Sequence, residues 1–210
     1  MLLLFLLLPC AKAMGEGAVV FEDAWEKWPY SFVNGKGEPD GFDIELVREV
    51  MRRLGKPVTI RLKDQDSVYV DIREGRADLT FAVKTGQYAQ YGRFAGVTIT
   101  RAETSLMVPR NDSLPHITIG ELCQRKLLVR DGSMSHQALL DYGMPDSLIS
   151  AERHMAMAIL DMVGRGGGAA LWNTVMLKWL MRKYDIRDHV LVPTDIPSAE
   201  YRMYLTACTS

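Results

Sequence analysis

The sequence predicts an α/β protein built as two successive strand-and-helix series, and three observations carry that expectation. Amphipathic helical stretches alternate with short apolar or alternating runs of strand length. After Pro109 the alternation pauses, then begins afresh near Lys126. The composition, 210 residues with 48% hydrophobic and 24% charged content, is that of an ordinary globular chain, large enough for one domain or two modest lobes.

Gly41 to Leu54 carries Ile44, Val47, Val50, Met51 and Leu54 at helical spacing, with Asp43 and Glu45 near its start and Gly55 and Pro57 beyond its end. Val58, Ile60 and Leu62 alternate with Thr59, Arg61 and Lys63, as in a half-buried strand. Asp66 is positioned to cap a helix over Ser67 to Glu74, closed by Gly75. The apolar run Ala77 to Val83 is a third strand, which implies a parallel sheet. Thr104 to Val108 is the next strand. The second series reads Lys126 to Val129 as strand, about Ser135 to Tyr142 as helix, Leu148 to Ser150 as strand and Glu152 to Val163 as helix. Ala169 to Leu171, a helix over Val175 to Tyr184, and the strands Val190 to Val192 and Tyr201 to Thr206 complete it. The pattern leaves the last strands without a covering helix, so a closing helix is expected beyond Ser210.

Met1 to Leu8 is apolar and is followed by Pro9, Cys10 and Ala11-Lys12-Ala13, whose small residues suit signal peptidase. The run is too short for a bilayer of roughly 30 Å. Cleavage after Ala13, and export, are expected. Pro9 disfavours Cys10 as a lipid acceptor. In the processed chain Cys123 and Cys208 lack disulfide-framework spacing and are read as two buried thiols.

The formal charge of −1, from 25 basic and 26 acidic residues, excludes the broad basic surface of a nucleic-acid binder. His116, His136, His154 and His189 show no ligand spacing, and neither metal nor cofactor is expected. Gly164 to Gly168 runs from helix into strand, the reverse of a phosphate loop.

Trp28-Pro29-Tyr30-Ser31-Phe32-Val33-Asn34, then Gly37-Glu38-Pro39-Asp40-Gly41-Phe42-Asp43-Ile44-Glu45-Leu46, resembles the opening of the family 3 extracellular solute-binding proteins. Arg73-Glu74-Gly75-Arg76-Ala77-Asp78-Leu79 and Lys126 to Ser133 are similar to later steps of that family, so the resemblance runs from about Val19 to Thr206. It implies a bilobal periplasmic-binding-protein type II fold with two mostly parallel sheets. Lobe 1 would span 14–109, lobe 2 span 110–188, and 189–210 would return to lobe 1. The hinge strands would lie near Thr104 to Pro109 and Val190 to Tyr204. It further implies binding of a small polar molecule in an interlobe cleft. Gly132 to His136 and Lys178 to Ile186 look similar to extracytoplasmic sensor modules of histidine kinases, fused to a transmembrane kinase. The alternative is a substrate-binding protein serving the membrane permease of an ABC amino-acid importer.

A ligand in such a cleft meets strand tips and helix N-termini, where backbone N–H groups lack partners. The resemblance places Trp28 and Tyr30 as ligand-facing rings, and Val83, Lys84 and Thr85 after the third strand. From the second lobe it offers Gly132, Ser133, Met134, Trp172 and Asn173. Each also has a structural reading: Tyr30 as a staple for the hairpin, Trp28 as cover for the sheet, Ser133 as a helix cap, Lys84 as a solvated lysine. Two departures stand out. The register of the family's carboxylate-forking arginine falls on Tyr88-Ala89, and that of its amino-binding acid on Trp172-Asn173. Lys84 or Arg93 would have to replace the arginine, and a standard α-amino acid is an unexpected ligand. A further alternative is a cyclohexadienyl-dehydratase-like enzyme. For that reading Glu22, Asp23 and Glu26 are the candidate acids, expected as solvated loop residues.

Overall fold

The computed structural model describes residues 17–84 and 91–206. The export segment Met1 to Ala13 with Cys10, together with Thr85, Tyr88, Ala89 and Cys208, lies outside them.

The chain divides into two compact units. The first is drawn from residues up to Trp25, Tyr30–Ile99 and those from Tyr201 on; the second comprises Glu26–Pro29 and Thr100–Glu200.

In the first unit β1 (Val19–Ala24), β5 (Val58–Lys63) and β6 (Leu79–Val83) form a parallel core in the order β5-β1-β6. β14 (Ala199–Thr206) then pairs antiparallel with β6, and β7 (Gly92–Phe94) with β14. β3 (Ser31–Val33) and β4 (Pro39–Asp40) make the hairpin that leads into α1 (Phe42–Arg53). Gly41 caps α1 at φ 116°, a value that side-chain-bearing residues avoid. α2 (Gln65–Arg73) covers the other face. Strand alternation sorts the core accordingly: Val19, Phe21, Leu79, Phe81 and Tyr201 pack with Ile44, Val47 and Met51 of α1, while Tyr204 packs with Val68 and Ile72 of α2. Burial of each such side chain is worth about 1.5 to 3 kcal/mol.

The second unit contains the short strands β2 (Glu26–Lys27) and β8 (Thr100–Ala102) and a five-stranded sheet. The sheet's strands are β9 (Thr104–Pro109), β10 (Leu127–Arg130), β11 (Ile149–Glu152), β12 (Ala170–Asn173) and β13 (His189–Pro193), in the order β11-β10-β12-β9-β13. Pairings among β11, β10 and β12 are parallel; β9 is antiparallel to both β12 and β13. Its helices are α3 (Ile119–Leu122), α4 (Met134–Asp141), α5 (Met155–Gly164) and α6 (Thr174–Lys183).

Several expectations are corrected. The sheets are mixed rather than mostly parallel, because β9, β13 and β14 enter against the parallel strands. One crossing, at Glu200–Tyr201, lies within the stretch Val190 to Tyr204, whereas Thr104 to Pro109 and His189 to Pro193 pair with each other inside the second sheet, where Leu106, Met107, Val108 and Val192 are buried. The chain passes between units at Ile99–Thr100 and Glu200–Tyr201, and makes a further excursion over Glu26–Pro29. The cap of α2 is Asp64, whose side chain accepts from Ser67 N, so the helix begins before Asp66. β11 continues through Glu152, which delays α5 to Met155. Cys123 is a free thiol and half-buried rather than buried.

Candidate functional site

In the first unit, the carboxyl ends of β1 and β6 and the start of α1 bring three titratable side chains together. The Tyr201 hydroxyl donates to Asp43 Oδ2, and Asp23 Oδ1 accepts from Ala24 N at 2.8 Å. Asp23, Asp43 and Tyr201 are all buried. Burial, then the negative charges of Asp43 and Asp23, hold the Tyr201 hydroxyl well above its ordinary range, so it remains a donor.

Tyr30 belongs to this group as a packing residue. Its ring lies 5.4 Å from that of Tyr201 and 6.5 Å, edge-on, from Phe42, and its carbonyl accepts from Asp43 N at 2.8 Å. Val83 ends β6 opposite Tyr201, and Lys84 follows it, exposed. Arg93 is an exposed residue of β7, paired with Leu205.

In the second unit, β10, β11 and β12 run parallel, so the helices after them present their N-termini along one edge of the sheet. Gly132, at φ 63°, makes the turn after β10 and donates its N–H to His136 Nδ1 at 3.2 Å. Ser133 Oγ accepts from His136 N at 3.1 Å and lies 3.0 Å from Ser135 Oγ, which makes Ser133 the cap of α4; Met134 is the first helical residue, half-buried. Trp172 is buried near the tip of β12, and Asn173 caps α6 by accepting from Val175 N at 3.0 Å and Met176 N at 3.1 Å. Beside it Ser105 Oγ and Thr174 Oγ1 lie 2.8 Å apart, buried. The structure thus brings Gly132, Ser133, Met134, Trp172 and Asn173 to adjacent strand tips. Trp28 is elsewhere in this unit, stacked on Trp179 with centroids 5.5 Å apart and planes 7° from parallel.

The acids of the enzyme reading are corrected. Glu22 and Asp23 are strand residues of β1, both buried, because the apolar run Val19-Val20-Phe21 continues through them as strand. Glu22 Oε1 is 3.1 Å from Lys63 Nζ and 3.4 Å from an Arg61 guanidinium nitrogen. Glu26 is half-buried and bonds His154 Nδ1 at 2.7 Å. Asp43 and Tyr201 are the members of this group that the sequence did not single out, and for Asp23 it was the burial that went unread; the period-2 pattern of Val19-Phe21-Asp23 was the available signal.

A groove of about 580 Å³ lies on the second unit, where Lys126, Leu127, Ile149 and Ala169 meet Met162 of α5 and Arg165 just after it. These residues sit at the amino ends of the strands, opposite the edge that carries the helix N-termini, so the groove lacks the converging donors of the β10 and β12 tips. Among the described residues no group of three or more His, Cys, Asp or Glu is placed to hold a metal ion, and no helix is long and apolar enough to cross a membrane.

Two α/β units, between which the chain passes more than once, define the class of bilobal binding folds. The chain belongs to the bacterial extracellular solute-binding proteins, family 3, whose family model matches residues 22–190. It is 32% identical to the probable ABC transporter arginine-binding protein ArtJ of Chlamydia trachomatis serovar D over 92 residues, which is 43% of this chain and 32% of that relative's length. A histidine kinase sensor domain with similarity to periplasmic binding proteins superposes with a TM-score of 0.82 at 21% identity, covering 91% of this chain and 83% of that one. The arginine-, lysine-, histidine-binding protein ArtJ of Geobacillus stearothermophilus gives 0.80 at 15% identity, covering 92% and 84%.

Proposed function

We propose that this chain is an extracytoplasmic recognition module of the sensor kind. In this reading it is exported through Met1 to Ala13, takes a small polar solute other than a standard α-amino acid in the cleft that its family implies, and carries out no covalent chemistry. The observation that carries the reading is the tip of β12. Asn173 Oδ1 is committed to two backbone N–H groups, which leaves the amide's Nδ2 donors for a solute, and a donor cannot receive an ammonium group. A solute with acceptor oxygens suits that tip, beside Gly132, Ser133, Met134 and Trp172. Val83, Lys84 and Thr85 are its proposed contacts from the first lobe. Tyr30 supports that wall through packing, and Trp28 acts from its stack on Trp179.

The likeness to a kinase sensor domain favours a sensor. The 92-residue match to a probable arginine-binding protein favours the second reading, a binding protein that delivers its solute to an ABC permease. Against catalysis stands the position of Glu22, buried under Lys63 and Arg61 on the face of β1 that packs against α2, and the commitment of Glu26 to His154.

The test is thermal unfolding against a panel of organic acids, sugars, amines and amino acids, with a parallel assay for dehydration of prephenate-like acids. A bound solute raises the midpoint by mass action and is recovered unchanged. Turnover of the acid would overturn the reading.

A further inference from the structure

We propose that Glu22 and Asp71 share one proton beneath Lys63, so that acidification of the surroundings fastens α2 onto β1. Strand alternation turns Phe21 towards α1 and Glu22 towards α2, where Val20 also packs. The Glu22 side chain is 0% exposed. Its Oε1 meets Lys63 Nζ at 3.1 Å and the Arg61 guanidinium at 3.4 Å, while its Oε2 is buried without a hydrogen-bond partner. Asp71, facing it from α2, is better served: Oδ2 takes Lys63 Nζ and Oδ1 takes Arg76 Nε at 2.6 Å. Glu74 also pairs with Arg76, and with Arg73 at 3.6 Å. The charged groups around the pair are therefore Arg61 and Lys63 from β5, and Arg76 with Glu74 from the end of α2.

One ammonium group serves two carboxylates, and the asymmetry decides which of them takes a proton. Burial first, and the adjacent Asp71, push the Glu22 carboxyl upward against the pull of Lys63. A proton on Oε2 removes a buried charge beside Asp71 and turns an unsatisfied buried acceptor into a donor. A group whose folded pKa is raised contributes stability that is present at low pH and lost as pH rises through that pKa. The brace therefore tightens on mild acidification, opposite in sense to ordinary acid denaturation. Its position matters because Lys63 O also accepts from Trp25 N at 2.9 Å, at the last residue before the chain crosses to the second unit.

The experiment is a ¹³C-carboxyl NMR titration of the whole chain with labelled glutamate and aspartate, Glu22 being assigned by Glu22→Gln. The expected Glu22 midpoint lies above those of the other glutamates. Amide protection factors in β1 and α2 should rise from mildly alkaline to mildly acidic pH. In Glu22→Gln they should be high throughout, and in Asp71→Asn the Glu22 midpoint should fall. A Glu22 midpoint within the range of the other glutamates, or protection in β1 and α2 that does not follow it, overturns the proposal. If Glu22→Gln does not fold, the titration of the native chain and its shift in Asp71→Asn decide the matter alone.

Discussion

The Tyr201 hydroxyl donates to Asp43 Oδ2 across 158 positions of sequence, joining β14 to the first turn of α1. Both side chains are buried, so Tyr201→Phe removes a donor from a carboxylate that water does not reach. The expected cost is about 1 to 3 kcal/mol of first-unit stability, measured by urea unfolding, with secondary structure retained. An unchanged midpoint would mean that other groups suffice to hold Asp43.

A second prediction concerns the start of α2. Asp64 Oδ1 accepts from Ser67 N at 2.9 Å and Oδ2 from the Ser67 hydroxyl; the hydroxyl first, then the backbone bond, hold the Asp64 carboxyl below its usual range. Asp64→Ala should therefore cost about 1 kcal/mol, and Asp66→Ala much less, by chemical denaturation. Equal losses would restore the cap that the sequence suggested.

That pair also marks what was legible. α1 could be read to within a residue at each end because Ile44, Val47 and Met51 repeat at helical spacing and all are buried. Two aspartates within reach of one helix start carry no such periodicity, and only geometry chooses between them. Strand positions were likewise readable, but partners were not: Thr104 to Pro109 is an apolar run whether it links two lobes or lies between β12 and β13. The strand tips at Ser133 and Asn173 came from the family resemblance laid over the order of elements. The buried Asp23, Asp43 and Tyr201 did not, since their association depends on contacts between β1, α1 and β14.

The pH dependence has a definite sign at Asp71. Burial raises its carboxyl, yet hydrogen bonds from Lys63 and Arg76 outweigh burial and hold it down to about 2, below the ordinary 3.8. Its contribution to stability is present above the ordinary value and lost as pH falls through about 2. Asp71→Asn should lower first-unit stability at neutral pH and flatten the unfolding profile between those two values. A variant profile parallel to that of the native chain would assign the acid sensitivity elsewhere.

The last prediction concerns solute choice. An α-amino acid needs a partner for each of its charges, and truncating one partner of a buried charged hydrogen bond typically costs about 2 to 5 kcal/mol of binding. At the tip of β12 the side chain is the neutral Asn173, its oxygen already taken by Val175 N and Met176 N. In the register of the carboxylate-forking arginine the sequence has Tyr88-Ala89. Losing both partners can exceed the whole free energy of a micromolar complex, roughly 8 kcal/mol. Glutamine, glutamate, lysine, arginine and histidine should therefore bind weakly or not at all in calorimetric titration, and a dissociation constant near 1 μM or tighter for any of them would sink the prediction. Asn173→Asp supplies the converse. Aspartate caps a helix about as well as asparagine, so the fold should persist while a carboxylate is restored beside Trp172. Binding of amino acids should then strengthen, whereas an unchanged titration would mean that the β12 tip does not meet the solute's ammonium position.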